Sequence, residues 1–258
     1  MKRTLISTLL ALLVAGTALA TEVPNSAAIF LRVFNDCPFS LVSAVDNYPT
    51  LIAIEDIKDN CGTAGWANRH AWRFSQDDAT EQLFANHNGF RFGADLTISG
   101  TGEAEAGIGI SPWWSPLVDG VFNFRTTDGE IACFGGRLPF YSFTANHGLT
   151  YVKGTTVHVE IIYMPNGLSE DFPGTIEYIV DSYTSGPLPF DMGNPEEPYG
   201  LWGILDNATA GGYIQLFLQE GAEDAGILAE WENITFLDLG DVVAVESETW
   251  SNVKSLFR

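Results

Sequence analysis

Phe90-Arg91-Phe92-Gly93-Ala94-Asp95-Leu96-Thr97-Ile98-Ser99 sets an apolar residue at every second position. Successive side chains leave opposite faces of a β-strand, so Phe90, Phe92, Ala94, Leu96 and Ile98 share one dry face. Arg91, Asp95, Thr97 and Ser99 share the other. The same beat returns at Ala106, Ile108 and Ile110, at Val157, Val159, Ile161 and Tyr163, and at Ile176, Tyr178 and Val180. Segments with one dry face are buried by pairing two sheets face to face. The pattern predicts an all-β chain built as a two-sheet antiparallel β-sandwich.

Working outward, residues 28–34 read as a first strand, and 71–75, 201–205, 213–218 and 231–236 as further strands. The stretch 35–63, dense in Asp, Asn and Pro, reads as irregular around a short apolar run at 51–54. Residues 77–85 carry one or two helical turns capped by Asp78 or Thr80. Asp119-Gly120 and Asp128-Gly129 suit tight hairpins. The sequence divides into a leader at 1–20, one sandwich domain at 21–237, and a tail at 238–258. That tail is an acidic linker followed by Trp250, Val253 and Phe257 at helical spacing, and it reads equally as a docking tail or a frayed end.

The leader has a positive start (Lys2, Arg3), an apolar run over 5–19 and small residues at Ala18-Leu19-Ala20, the pattern of a cleaved signal peptide. The expected location is extracellular or the cell envelope. No later run reaches the roughly 20 apolar residues that a membrane helix needs. Removing the leader leaves 10 basic against 33 acidic residues, a formal charge of −23. Such a surface repels phosphate backbones and anionic lipid, which disfavours nucleic-acid and membrane-surface partners. Of three cysteines, Cys37 and Cys61 lie beside turn residues and are the expected disulfide pair in an exported chain. Cys133, in Ile131-Ala132-Cys133-Phe134, reads as a small core residue.

The ordered segments Phe90 to Leu96, Glu105-Ala106-Gly107-Ile108-Gly109-Ile110, Val157 to Tyr163, Tyr199-Gly200-Leu201-Trp202-Gly203 and Trp231-Glu232-Asn233-Ile234-Thr235-Phe236 resemble the concanavalin A-like lectin and glucanase sandwiches, laminin-G-like domains included. The resemblance implies a jelly roll of two curved antiparallel sheets whose concave face or edge loops hold carbohydrate. It does not by itself imply catalysis, because the Glu-x-Asp-x-x-Glu strand of the related β-glucanases is absent.

Candidate residues follow from chemistry. Glu103 and Glu105, two apart on a strand, face the same way at about 7 Å, near the spacing of an inverting carboxylate pair. A solvated turn after Gly100-Thr101-Gly102 explains both carboxylates without chemistry and is the favoured reading. Trp113 and Trp114, with Arg91, Asn123 and Arg125 on polar strand faces, form the candidate sugar patch, since a pyranose stacks on an aromatic plate and bonds to planar polar groups. Two prolines flanking the tryptophans also suit a plugged strand end. Asp191, Asn194, Glu196 and Glu197 offer hard oxygen ligands for calcium, against the simpler reading of a solvated acidic loop. No cofactor is expected, with calcium on that loop as the alternative. Trp72, Trp202 and Trp231 read as core, His70 and His87 as loop residues, and His158 as solvent-facing. The leading expectation is an exported, non-catalytic module that binds a glycan or surface polymer. A concanavalin A-like glycoside hydrolase or lyase, and a ligand-free structural protein, stand as alternatives.

Overall fold

The structure, a computed structural model, describes residues 22–59, 61, 66–112, 120–193, 201–217 and 225–241. In chain order the strands begin with β1 (Ser26–Phe34), β2 (Leu41–Asn47), β3 (Leu51–Ile57), β4 (Trp66–Ser75), β5 (Asn88–Gly100) and β6 (Glu103–Pro112). Then come β7 (Gly120–Arg125), β8 (Ile131–Phe134), β9 (Tyr141–Ser142), a one-turn helix α1 (Phe143–His147), β10 (Thr156–Met164) and β11 (Thr175–Val180). The last are β12 (Tyr183–Thr184), β13 (Leu188–Pro189), β14 (Ala208–Phe217) and β15 (Gly226–Asp241).

Two antiparallel sheets result. One runs β1-β4-β14-β6-β7-β8-β9, the other β12-β11-β10-β5-β15-β3-β2, with β13 beside β11. The expected two-sheet antiparallel sandwich is what the chain forms. Phe90, Phe92, Ala94, Leu96 and Ile98 of β5 all lie in the core. They face Trp72 and Phe74 of β4 and Phe122 and Phe124 of β7 across the interlayer. Rings meet edge to face, Phe74 with Phe92 at 5.4 Å and Trp72 with Trp231 at 6.1 Å, the geometry that aromatic quadrupoles favour. The Trp231 indole N–H donates to the Gly107 carbonyl of the opposite sheet at 3.0 Å, whereas the buried Trp72 Nε1 has no hydrogen-bond partner among the described residues. Gly212 makes room for the indole pair, because a Cβ there would stand 2.8 Å from Trp231 Nε1. Cys133 is buried and unbonded, and burial pushes its thiol well above the ordinary range.

Several local expectations need correction. Residues 41–47 and 51–57 form the β2–β3 hairpin rather than irregular chain. β2 is an edge strand exposed along nearly its whole length, so no wet-and-dry alternation marks it. Residues 77–85 form no helix: Ser75 bridges Glu81, and Phe84 is drawn into the core beside Ala208. Asp77, whose side chain accepts from the amides of Ala79 and Thr80, builds a turn instead. Residues 201–205 are turn, and Trp202 there is half-buried, not core. β15 continues to Asp241, past the domain boundary expected at residue 237. His70 sits within β4 and is fully buried. Cys37 and Cys61 are bonded as expected, their Cα atoms 5.2 Å apart.

Among the described residues no helix is long and apolar enough to cross a membrane. The expected signal peptide at 1–20, Trp113, Trp114, Asn194, Glu196, Glu197 and the tail from 242 lie outside the described residues.

Candidate functional site

The outer face of the seven-stranded sheet carries an unusual concentration of polar side chains. Register places Ala71, Tyr213, Gly107 and Asn123 in one row across β4, β14, β6 and β7. Neighbouring rows are Arg73, Gly211, Gly109 and Val121 on one side, and Arg69, Gln215, Glu105 and Arg125 on the other. Residues two apart on a strand share a face, so all twelve belong to one face, where Arg69, Arg73, Val121, Asn123 and Tyr213 are nonetheless buried. Arg69, Arg73 and Arg125 put three of the seven arginines beyond residue 20 on this face of an otherwise acidic chain.

Three glycines shape its centre. Gly107, Gly109 and Gly211 present no side chain, which lets long groups from adjoining strands lie across them. The Tyr213 hydroxyl crosses β6 above Gly107 and donates to Asn123 Oδ1 at 2.6 Å. Arg73 crosses β14 beside Gly211, with Nη2 3.3 Å from Ser111 Oγ and Nη1 3.1 Å from the Gly212 carbonyl. The Arg69 guanidinium lies 4.0 Å from the Tyr213 ring centroid and reaches Gln215 at 3.3 Å. A cation on a ring face is attracted by its quadrupole. Asn123 is wholly buried, and its Nδ2 has no partner among the described residues. Beside this row, Phe30, Val33, Ala71, Arg73, Glu81, Pro112 and Thr209 line a cavity of about 70 Å³.

Of the residues singled out from sequence, Asn123, Arg125, Glu103 and Glu105 fall on this face. Arg91 does not: it lies on the outer face of the other sheet, where its Nε meets Glu160 at 2.7 Å. The expected convergence of Arg91 with Asn123 and Arg125 is therefore not realised, because their strands sit in opposite layers. Arg125 is held by Glu105 at 3.0 Å, Asp128 at 2.9 Å and Glu130 at 2.7 Å. Burial disfavours its charge, but the bonds to Glu105 and Asp128 prevail and raise its proton affinity. Glu103 is bonded by Thr126 and by Lys153 at 2.9 Å. Both carboxylates of the supposed catalytic pair thus serve as ion-pair partners. Asp191 is bonded by Arg137 at 3.1 Å, and no cluster of three metal-binding side chains occurs among the described residues.

Arg69, Arg73 and Tyr213 were not legible as site residues in the sequence. The available signal was Arg69-x-x-x-Arg73, two cations on the wet side of a strand whose dry side is Trp72 and Phe74.

A second polar cluster occupies the outer face of the eight-stranded sheet. His158 Nδ1 is 2.8 Å from Asp95 Oδ1, and Asn233 donates to Asp95 Oδ2 at 2.8 Å. Burial raises the Asp95 carboxyl, but the bonds from Asn233 and His158 outweigh it and hold the group below its usual range.

No protein-family model matches the chain, and no curated protein is similar to it in sequence. Solved structures share its sandwich shape. Alginate lyase A1-II′, a member of polysaccharide lyase family 7, is 11% identical with a TM-score of 0.48, the alignment covering 74% of this chain and 81% of that one. Alginate lyase PA1167 from Pseudomonas aeruginosa is 14% identical, covering 72% and 82%, TM-score 0.44. The family 7 alginate lyase AlyA1 from Zobellia galactanivorans is 8% identical, covering 75% and 82%, TM-score 0.42. The concanavalin A-like sandwich expected from the sequence is the shape these proteins share. The expectation of a non-catalytic module is corrected here, since the proteins of similar shape bear the names of enzymes.

Proposed function

We propose that the chain is an exported carbohydrate-cleaving enzyme of the lyase type, acting on an acidic polysaccharide laid across the outer face of the seven-stranded sheet. The observation that carries this reading is the Tyr213 hydroxyl on Asn123 Oδ1 at 2.6 Å, beneath the Arg69 guanidinium, with the buried Asn123 Nδ2 unpartnered among the described residues. The reading rests on these side chains; the likeness in shape selects no substrate.

β-Elimination from a uronic acid needs charge neutralisation at the carboxylate, which acidifies the neighbouring carbon, and a group that moves a proton. Arg69 supplies the first in kind, while Asn123, wholly buried, holds the Tyr213 hydroxyl in place. Tyr213 supplies the second: its ionised oxygen removes the proton α to the carboxylate, the bond from the β carbon to the glycosidic oxygen breaks, and the re-formed Tyr213 hydroxyl gives that proton to the departing oxygen. One sugar keeps a new carbon–carbon double bond, and no water is consumed. Hydrolysis by paired carboxylates is the less favoured chemistry, because Glu103 and Glu105 are each held in an ion pair.

The test is the near-ultraviolet absorbance of the unsaturated uronate formed when purified protein is mixed with a panel of polyuronates. Absorbance should rise with the wild type and fall by about 10²-fold to 10⁴-fold in rate for Tyr213→Phe, the usual worth of a positioned acid or base. Equal rates for the two proteins would remove Tyr213 from the chemistry, and no rise on any polyuronate would remove the reading.

A further inference from the structure

Between the layers, at the β1 edge, lies a titratable pair that the proposed chemistry does not use. His70 and Asp56 are both fully buried, with His70 Nε2 at 2.9 Å from Asp56 Oδ2. On its other side His70 Nδ1 is 2.9 Å from the backbone nitrogen of Arg32. A backbone N–H can only donate, so Nδ1 must carry its lone pair, and the ring proton sits on Nε2 facing Asp56.

The Arg32 amide is held at a strained place. Arg32 adopts a left-handed φ of 57°, costly for a long side chain, and β1 slips register between Phe30 and Phe34 at this point. β1 is an edge strand with a partner on one side only. The bond to His70 therefore anchors the bulge from within. The consequence reaches the outer face: Phe30 and Val33, flanking the bulge, line the 70 Å³ cavity beside Arg73, and Arg69 and Ala71 flank His70 on β4.

We infer that His70 is a positioning residue that makes the β1 edge sensitive to acid: its neutral form anchors Arg32 and the cavity wall, and protonation at Nδ1 sets N–H against N–H and frees that edge. This goes beyond the proposed reaction and stands whether or not the face is catalytic.

The charged groups around His70 give the device its sense. Asp56 from β3 remains bonded to Nε2 in either state and shelters the added charge. Asn68 also donates to Asp56 Oδ2, at 2.9 Å, and keeps the carboxylate in place. Lys58, buried two residues beyond Asp56, is a like charge on the same side of that chain. The Arg32 side chain turns away to Asn35, the Cys37 carbonyl and Ser40. Ile214, His70's neighbour on β14, brings no charge. Asp36 and Asp59 flank the bridged cysteines. What protonation removes is thus the one bond in which His70 accepts.

The test is nuclear magnetic resonance on the full chain, reading the imidazole nitrogens of His70 and the exchange protection of the Arg32 amide relative to the core amide of Phe92. At about pH 8 the ring proton should be on Nε2. On acidification from about pH 8 to about pH 5, Arg32 protection should fall at least about tenfold relative to Phe92. His70→Asn keeps an acceptor near the Nδ1 position without titrating, and in that variant the ratio should not change with pH. A constant ratio in the wild type, parallel loss at both amides, a proton on Nδ1 at about pH 8, or the same acid loss in His70→Asn would each overturn the inference. Should His70→Asn fail to fold, the wild-type ratio decides alone.

Discussion

Replacing Tyr213 by Phe removes one oxygen from the polar face and leaves the ring under Arg69. The structure sets the size of the effect. The hydroxyl donates to Asn123 Oδ1 at 2.6 Å, and Asn123 is fully buried with its Nδ2 already unpartnered among the described residues. Loss of the donor leaves a second buried polar atom of the same amide unmet, at a cost of about 1–3 kcal/mol. For a domain of this size that lowers Tm by about 2–12 °C. A cycle of Tyr213→Phe, Asn123→Ala and the double variant, each followed by urea denaturation, isolates the pair. The two single losses should exceed the double loss by about 1–2 kcal/mol. Additivity within about 0.5 kcal/mol would show the two groups to be uncoupled and refute the site geometry.

Three further outcomes follow from other parts of the molecule. Gly212→Ala inserts a Cβ 2.8 Å from Trp231 Nε1 and should cost about 1–3 kcal/mol by overpacking, read as a lower urea midpoint. The depressed carboxyl of Asp95 contributes stability that is present above its unfolded range near about pH 4 and lost as pH falls through the folded value; Asp95→Asn should flatten the acid limb of the stability profile and leave the neutral limb's shape unchanged. Cys37→Ser opens a loop of sequence separation 24 and should lower stability by roughly 3.5 kcal/mol on the chain-entropy account, measured with the wild type kept oxidised.

How far the fold could be read from residues depended on whether a strand has two different faces. β5 has a core face and a solvent face, and its alternation shows at once. β2 is an exposed edge held only by β3, so neither face imposes a pattern, and its Asp and Asn residues resemble a loop. The segment at 77–85 carries helix-capping residues at Asp78 and Thr80, yet burial of Phe84 against β14 outweighs the local preference. The site was harder to read. Arg69, Tyr213 and Asn123 stand on β4, β14 and β7, far apart in sequence, and become neighbours only because β14 inserts between β4 and β6. Asn123 was visible as a polar residue in an apolar strand. Tyr213 was not, since a tyrosine in a strand most often packs as core, and only register shows that Gly107 clears its path to Asn123.

The central claim is that this face breaks an acidic polysaccharide by elimination. Mass spectrometry of the oligosaccharides released from a polyuronate tests it most directly. The account predicts fragments each ending in an unsaturated residue, short of the full hydrolysis product by one water. Fragments that have each gained a water, or an unshortened polymer, would contradict it.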